Sequence, residues 1–161
     1  MPDPFHTCAA WSLDTALRTG ISVVPAPRMW TPLGLATQAA TVAQLSEGKF
    51  VLGIGTGGYG PGFWASLGLP DRPIGVMREY LTQVRGLLSG ERVTAGPIIK
   101  GGPGWPQSAA LGINEIPTAP VYIAALGPQM LRLAGEAADG ALLNWATPDR
   151  IAFAPAVKRS R

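Results

Sequence analysis

The sequence contains few of the residues that metal and disulfide chemistry require. Its 161 residues include one cysteine, Cys8, and one histidine, His6. A single thiol cannot form an internal disulfide, and these two residues are too few for a cysteine- or histidine-rich metal site. We therefore expect a reduced, cytoplasmic protein without a metal centre. His6 is expected to be a solvated loop residue rather than a catalytic base.

Charge is also scarce. Charged residues make up 14% of the chain, against a usual ~25%, whereas hydrophobic residues make up 47%. The net charge of +3 comes partly from the tail residues Lys158, Arg159 and Arg161, and no basic stripe with interleaved aromatic residues runs elsewhere. We therefore expect no nucleic-acid partner. The large apolar fraction instead predicts burial against other copies in a homo-oligomer, or against a further part of the protein.

Long apolar runs are absent. No run approaches the ~20 residues that span a bilayer, and the start Met-Pro-Asp lacks the basic and then apolar pattern of a signal peptide. We therefore expect no membrane association.

Motifs of catalysis are likewise missing, because no P-loop, nucleophile elbow, zinc spacing or triad signature is present. The stretch Gly53–Gly58 does match G-x-G-x-x-G. A dinucleotide-binding turn must continue into a helix, however, and Tyr59-Gly60-Pro61-Gly62 cannot. We reject that interpretation. Two others remain open: the glycines permit a tight exit from a strand, or they let a flat ring or a phosphate approach the backbone closely.

Strands and helices alternate along the chain. Residues 9–18 have the composition of a helix end, and residues 59–74 form a long loop of the kind that is often functional. Residues 92–117, rich in glycine and proline, are expected to be an excursion that can hold a small hairpin. The apolar periodicities predict strands at 20–24, 50–54, 121–126 and 141–144, and helices at 32–45, 76–88 and from 128 onward.

The clearest unit is Pro120–Trp145, which has the pattern strand, helix, strand. Because a crossover helix separates its two strands, they are expected to be parallel. The turn Ala125-Leu126-Gly127-Pro128-Gln129 begins the helix. Free backbone N–H groups and the helix dipole attract an anion there, typically by ~0.3–1 kcal/mol. An ordinary strand-to-helix turn has the same residues, so the turn alone is a weak signal. From the residues alone, the chain is a parallel α/β protein with an anion-binding turn.

Three segments together resemble the bacterial luciferase-like family of flavin-dependent oxidoreductases, and especially its deazaflavin-using branch. They are Gly20–Pro25, Leu45–Gly57 and Ala125–Pro128, and their order and spacing are similar to those of the family over about residues 18–148. The family fold is a TIM-type (β/α) barrel of eight strands whose site lies at the carboxyl ends of the strands. The resemblance therefore implies a partial barrel with about four parallel strands and crossover helices, as one domain over residues 1–161.

The resemblance also implies a cofactor and its site. The cofactor would be an 8-hydroxy-5-deazaflavin coenzyme, or alternatively FMN, used for hydride transfer or for oxygen insertion into a small-molecule substrate. Its phosphate would be held by the turn with Ala125, Leu126, Gly127 and Gln129. A cis peptide would join Ser22 and Val23 beneath the flavin face, Thr56 and Gly57 would line the ring or its ribityl chain, and Asn144 would face the same mouth.

The departures from the family limit what can be carried over. A typical barrel needs ~250 residues, and counterparts of four strands are missing here. The family's acid/base group near the first strands has no match, and Gly58 stands where some deazaflavin enzymes have an acidic residue. No catalytic residue is assigned, and we expect a truncated or split product. The alternatives are a non-catalytic fragment that binds a flavin phosphate or associates with a second copy, and another phosphate-binding barrel enzyme.

Overall fold

The fold is built on one parallel sheet. The computed structural model describes residues 2–57, 62–66, 68–100, 107–113 and 115–153. Its strands are β1 (Thr19–Pro25), β2 (Phe50–Gly55), β3 (Val93–Thr94), β4 (Ser108–Ala109), β5 (Val121–Ala124) and β6 (Gly140–Leu142). The parallel sheet has the order β1-β2-β5-β6, and β3 pairs with β4 in a separate antiparallel ribbon. The predicted class, four parallel strands with crossover helices, is confirmed.

Most of the sheet's helices form one layer. The helices are α1 (Pro4–Asp14), α2 (Ala26–Met29), α3 (Pro32–Leu45), α4 (Phe63–Ser66), α5 (Pro73–Leu88), α6 (Pro128–Ala137) and α7 (Pro148–Phe153). In this layer α3 packs between α1 and α5, and α5 packs against α6. The bounds of α3 are those predicted, because Thr31 caps it by accepting a hydrogen bond from the Gly34 amide at 3.1 Å and Pro32 is its first residue.

The core lies between this layer and one face of the sheet. The strand side chains that point toward the helices are Ile21, Val24, Leu52, Ile54, Val121 and Ile123, and all of them are buried. They pack against α3 and α5 residues such as Leu35, Ala39, Met77 and Leu81. Each fully buried aliphatic side chain contributes roughly 1.5–3 kcal/mol to stability.

The opposite face of the sheet is more open, and we call it the inner face. It carries Gly20 and Val51, then Gly53 and Gly55, and toward the other edge Tyr122, Ala124, Gly140 and Leu142. Its strand residues alternate with those of the core, as the two-residue period of a strand requires. Outside the glycines, these side chains are half-buried rather than buried.

Strand β1 contains an irregularity that serves both faces. The peptide bond between Ser22 and Val23 is cis, as predicted, and the pairing of β1 with β2 shifts register between Ile21 and Val24. Because of this bulge, Ile21 and Val24 both face the core. Val23 lies on the inner face, beside Gly53 and Gly55.

The N-terminal segment differs from its prediction. A helix begins at Pro4, whereas helical composition was expected only from residue 9. Asp3 starts it, because its Oδ1 accepts hydrogen bonds from the amides of Phe5 at 2.9 Å and His6 at 3.0 Å. His6 is therefore a helix residue rather than a loop residue. Its ring is exposed and therefore solvated, as expected. The ring Nδ1 lies 2.9 Å from Oδ1 of Asp3.

Other boundaries also differ. The single-turn helix α2 was not predicted, and α5 begins at Pro73 rather than at residue 76. Strands β5 and β6 end at Ala124 and Leu142 rather than at residues 126 and 144. The excursion contains the expected hairpin as β3 and β4. Its residues 101–106 and 114, like the loop residues 58–61 and 67, lie outside the described part of the chain, as does the basic tail.

Glu79 has a different role from the exposed helix residue that its position in the sequence suggests. Its carboxylate accepts hydrogen bonds from the amides of Ile98, at 2.9 Å to Oε1, and Ile99, at 2.5 Å. Glu136, by contrast, lies on the exposed side of α6 and pairs with Arg78 of α5 at 2.7 Å. Glu79 therefore fastens the start of the excursion to α5.

Among the described residues, no helix is long and apolar enough to cross a membrane. Over the same residues, no group of three or more His, Cys, Asp or Glu side chains could hold a metal ion.

Candidate functional site

A cavity of about 420 Å³ lies at the carboxyl edge of the parallel sheet. That volume falls within the range of roughly 300–1,000 Å³ typical of small-molecule sites. All four strands of the parallel sheet contribute residues to it. Its lining residues are Ser22, Val23, Gly55, Thr56, Gly57, Ala124, Leu126, Met130, Leu142, Leu143 and Asn144.

Six residues that the resemblance assigned to the site line this one cavity. They are Ser22, Val23, Thr56, Gly57, Leu126 and Asn144, which come from four segments that are far apart in the sequence. The sheet brings them together because parallel strands end at the same edge.

The other three assigned residues lie in the turn beside the cavity. Ala125 is buried, and its amide donates a hydrogen bond to the Leu142 carbonyl at 3.0 Å. Gly127 and Gln129 are exposed at the start of α6. Ala125 therefore fixes the turn onto β6, while the other two face solvent next to Leu126.

The start of α6 leaves backbone donors available to a ligand. Gly127 is the N-cap, and its carbonyl accepts from the Leu131 amide at 3.0 Å. The amides of the first turn, including those of Gln129 and Met130, have no partner within the helix. A Cβ added at Gly127 would meet no atom within 4 Å. The turn therefore has both the donors and the open space that a phosphate needs.

Sequence reasoning missed five lining residues: Gly55, Ala124, Met130, Leu142 and Leu143. Met130 is in the first turn of α6. Gly55, Ala124 and Leu142 are the last residues of their strands. Their alternation with core-facing residues at the end of each strand was the signal that could have identified them.

The structure explains Gly53 and Gly55 by close packing against other strands, a reason that is neither a tight strand exit nor the approach of a ligand. A Cβ at Gly53 would overlap the Ile21 carbonyl oxygen and lie 2.7 Å from Leu142 Cδ1. At Gly55 it would lie 2.9 Å from Val23 Cγ2. Protein atoms, rather than a ligand, therefore occupy the space beside both glycines. Gly57 has φ +78°, a left-handed conformation that favours glycine as β2 ends.

The lining is suited to holding a flat, largely apolar ring. Its apolar walls come from Val23, Leu126, Met130 and the two leucines at the end of β6 and just after it, and its polar side chains are Ser22, Thr56 and Asn144. None of the described lining side chains is an acid or a base at neutral pH. The donor set therefore fits a phosphorylated flavin-type cofactor, with neutral contacts around the ring and backbone amides at the phosphate.

Two larger cavities lie elsewhere. One of about 730 Å³ is at the opposite edge, beside the first residue of β5 and the end of α5. The other, of about 780 Å³, lies beside α2 and the start of α3 and includes Tyr80. Burial raises the pKa of the Tyr80 hydroxyl, which donates a hydrogen bond to the Trp30 carbonyl at 3.0 Å. Neither cavity gathers the strand ends, where barrel proteins have their chemistry.

Comparison with known proteins agrees with the geometry. A 5,10-methylenetetrahydromethanopterin reductase from Methanolobus tindarius is 34% identical over 115 residues, which make up 70% of this chain and 33% of that protein. An F420-dependent glucose-6-phosphate dehydrogenase from Beutenbergia cavernae is 33% identical over 141 residues, covering 85% of this chain and 40% of the relative. The matched part of the chain therefore spans 33% to 40% of the length of these curated relatives.

A solved structure shows the same fold. The coenzyme F420 dependent tetrahydromethanopterin reductase from Methanopyrus kandleri superposes with a TM-score of 0.70 at 22% identity, over 98% of this chain and 49% of that one. The sequence model of the family described as luciferase-like monooxygenase matches residues 2–159. This chain is therefore a member of the luciferase-like monooxygenase family.

Proposed function

We propose that this chain forms the cofactor-binding part of a luciferase-like oxidoreductase that uses coenzyme F420, an 8-hydroxy-5-deazaflavin, for hydride transfer. The observation that supports this most is the cavity at the carboxyl edge, in which six residues from four separate segments meet. The names of the relatives support the choice of cofactor, since both the dehydrogenase and the solved reductase are F420-dependent.

Each part of the site has a proposed task. The amides at the start of α6, with Gly127 as the open N-cap, bind the cofactor's phosphate. Leu126, Met130 and Val23 are apolar lining residues, and their task is to hold the ring and exclude water. Thr56 and Asn144 orient the polar edge of the ring or its side chain. The bound deazaflavin supplies the two-electron hydride chemistry.

Among the described lining residues, no side chain is a general acid or base for catalysis near neutral pH. Ser22, Thr56 and Asn144 are neutral, and the remaining lining residues are apolar or glycine. We therefore propose that the acid/base group comes from outside this set. The chain's own contribution is to bind, orient and desolvate the cofactor.

Oxygen insertion with FMN is the second candidate, and the description of the family as luciferase-like monooxygenase favours it. The same cavity and the same phosphate turn would serve it. The two candidates differ in the ring that the cavity selects.

A fluorescence titration of the folded full chain with coenzyme F420, with FMN and with riboflavin tests the proposal. We expect F420 to bind more tightly than FMN. FMN should bind more tightly than riboflavin, which has the same ring without a phosphate. Tighter binding of FMN than of F420 would replace the first candidate by the second, and failure of both to bind a folded sample would reject the proposed site.

A further inference from the structure

The cavity at the carboxyl edge of the sheet ends just below the last residues of the strands. Gly55 at the end of β2 lines it, whereas Gly53, the next residue down on the inner face, is not among its described lining residues. In β5, Ala124 lines the cavity, and Tyr122 below it does not. The cavity therefore has a base at this level of the sheet.

Two side chains from different strands meet over Gly53. A Cβ built at Gly53 would lie 2.7 Å from Leu142 Cδ1 and 3.1 Å from Val23 Cγ1. Both atoms therefore lie close to the same point above β2. Val23 belongs to β1 and Leu142 to β6, which are the first and the last strand in the order β1-β2-β5-β6. Leu142 thus reaches past β5 to the middle of the sheet.

Small residues on the two middle strands make this meeting possible. β2 has no side chain at Gly53 or Gly55, and β5 carries only a methyl group at Ala124, which lies 3.2 Å from a Cβ built at Gly55. A side chain at either glycine would occupy space that Val23 fills, and at Gly53 also space that Leu142 fills. Val23, Ala124 and Leu142 all line the cavity. We call these three residues the floor of the cavity.

The floor gives a bound ring an apolar contact at a fixed depth. A ring that touches the floor removes apolar surface from water, which favours binding. It cannot sink past Val23 and Leu142 without displacing closely packed atoms, because such packing leaves little free volume. The ring therefore lies above the floor, in the part of the cavity that the polar side chains Ser22, Thr56 and Asn144 line.

We propose that Leu142, together with Val23, is a binding residue for the cofactor ring, and that the floor fixes the depth at which the ring lies. This inference rests on the proposed function, because it places a flavin-type ring in the cavity. The role of Leu142 differs from that of the turn at Gly127. The turn binds the phosphate, whereas the floor contacts the three-ring system that coenzyme F420 and FMN have in common.

The floor itself is tested without any cofactor by urea unfolding of the full chain. We expect the effects of Val23→Ala and Leu142→Ala on stability to be non-additive in the double variant, because the two side chains share one space. The control is Leu88→Ala, a half-buried leucine that lines the cavity at the opposite edge. Its effect should add to that of Val23→Ala. Strict additivity of Val23→Ala and Leu142→Ala would overturn the floor.

Fluorescence titrations of the same chains with coenzyme F420 and with FMN test the contact with the ring. We expect Leu142→Ala to weaken the binding of both cofactors about tenfold or more, because apolar contact is lost. Leu142→Val removes one CH₂ group and should weaken both about fourfold, and it decides the question if Leu142→Ala does not fold. Leu88→Ala should bind both like the wild type.

The outcomes separate this inference from the proposed function. A wild-type chain that binds neither cofactor would reject the proposed function, and the ring contact with it. A wild-type chain that binds, together with unchanged binding by folded Leu142→Val, would overturn the ring contact alone. Equal weakening by Leu88→Ala and Leu142→Ala would also overturn it, because the loss would then follow from stability rather than from the floor.

Discussion

Val23 and Gly55 are paired by shape, because a Cβ on Gly55 would lie only 2.9 Å from the Val23 Cγ2. Ala124 Cβ, at 3.2 Å, closes the other side of the same space. Val23, which follows the cis peptide, thus occupies the space that a larger side chain at position 55 would need. Val23 and Gly55 both line the carboxyl-edge cavity.

This relationship predicts the effect of Gly55→Ala. We expect the free energy of unfolding to fall by about 1–3 kcal/mol, the usual cost of overpacking a filled site. Gly112→Ala is the matched control, because a Cβ there meets no atom within 4 Å. Val23→Ala should recover part of the loss when combined with Gly55→Ala, and urea unfolding of the four chains measures the coupling. Strictly additive effects of the two substitutions would contradict the contact.

Glu79 is expected to stabilise the start of the excursion. Hydrogen bonds to a charged group contribute about 1.5–3 kcal/mol each, and Glu79 accepts from two backbone amides. Glu79→Gln should therefore lower the stability by about 1–3 kcal/mol and speed native-state cleavage by trypsin after the exposed Lys100 nearby. Glu136→Gln removes only an exposed ion pair and should change stability by less than about 1 kcal/mol. Equal effects of the two substitutions, with unchanged cleavage at Lys100, would refute the anchoring role.

Tyr80 should make stability fall at alkaline pH. Burial raises the pKa of its hydroxyl in the folded protein, whereas an unfolded tyrosine ionises near about 10. Above that pH the folded state holds the proton more tightly than the unfolded state, so stability decreases as pH rises. Below it the contribution is fully present. Tyr80→Phe should lack this loss between pH ~8 and ~11, while Tyr122→Phe, which keeps Tyr80, should retain it. Parallel curves for Tyr80→Phe and the wild type in urea titrations would count against this origin.

The sequence was sufficient where local signals coincide with the fold. Thr31 and Pro32 mark the start of α3, and its apolar spacing marks the buried face, so its bounds were predicted correctly. The parallel direction of the strands followed from their alternation with crossover helices. The cis bond between Ser22 and Val23 came from family resemblance, since no local pattern of ordinary residues indicates it.

What the sequence could not provide depends on contacts between distant segments. Glu79 has the position of an exposed helix residue, and only the path of the excursion brings the amides of Ile98 and Ile99 to it. The glycines of β2 matched a nucleotide motif, yet their space is filled by Val23 and Leu142 from other strands. Met130 likewise lines the cavity only because α6 begins at the carboxyl edge.

The central claim, a phosphate-bearing cofactor at the start of α6, is tested most directly by one pair of variants. Gly127 and Gly112 are both exposed, and a Cβ at either meets no atom within 4 Å. Aspartate at Gly127 places a negative charge at the N-cap, where it favours the helix but repels a phosphate. In the fluorescence titration with coenzyme F420, we expect Gly127→Asp to weaken binding about tenfold or more, equivalent to about 1.4 kcal/mol. Gly112→Asp and the neutral Gly127→Ala should bind like the wild type. Unchanged binding by a folded Gly127→Asp variant would contradict the account.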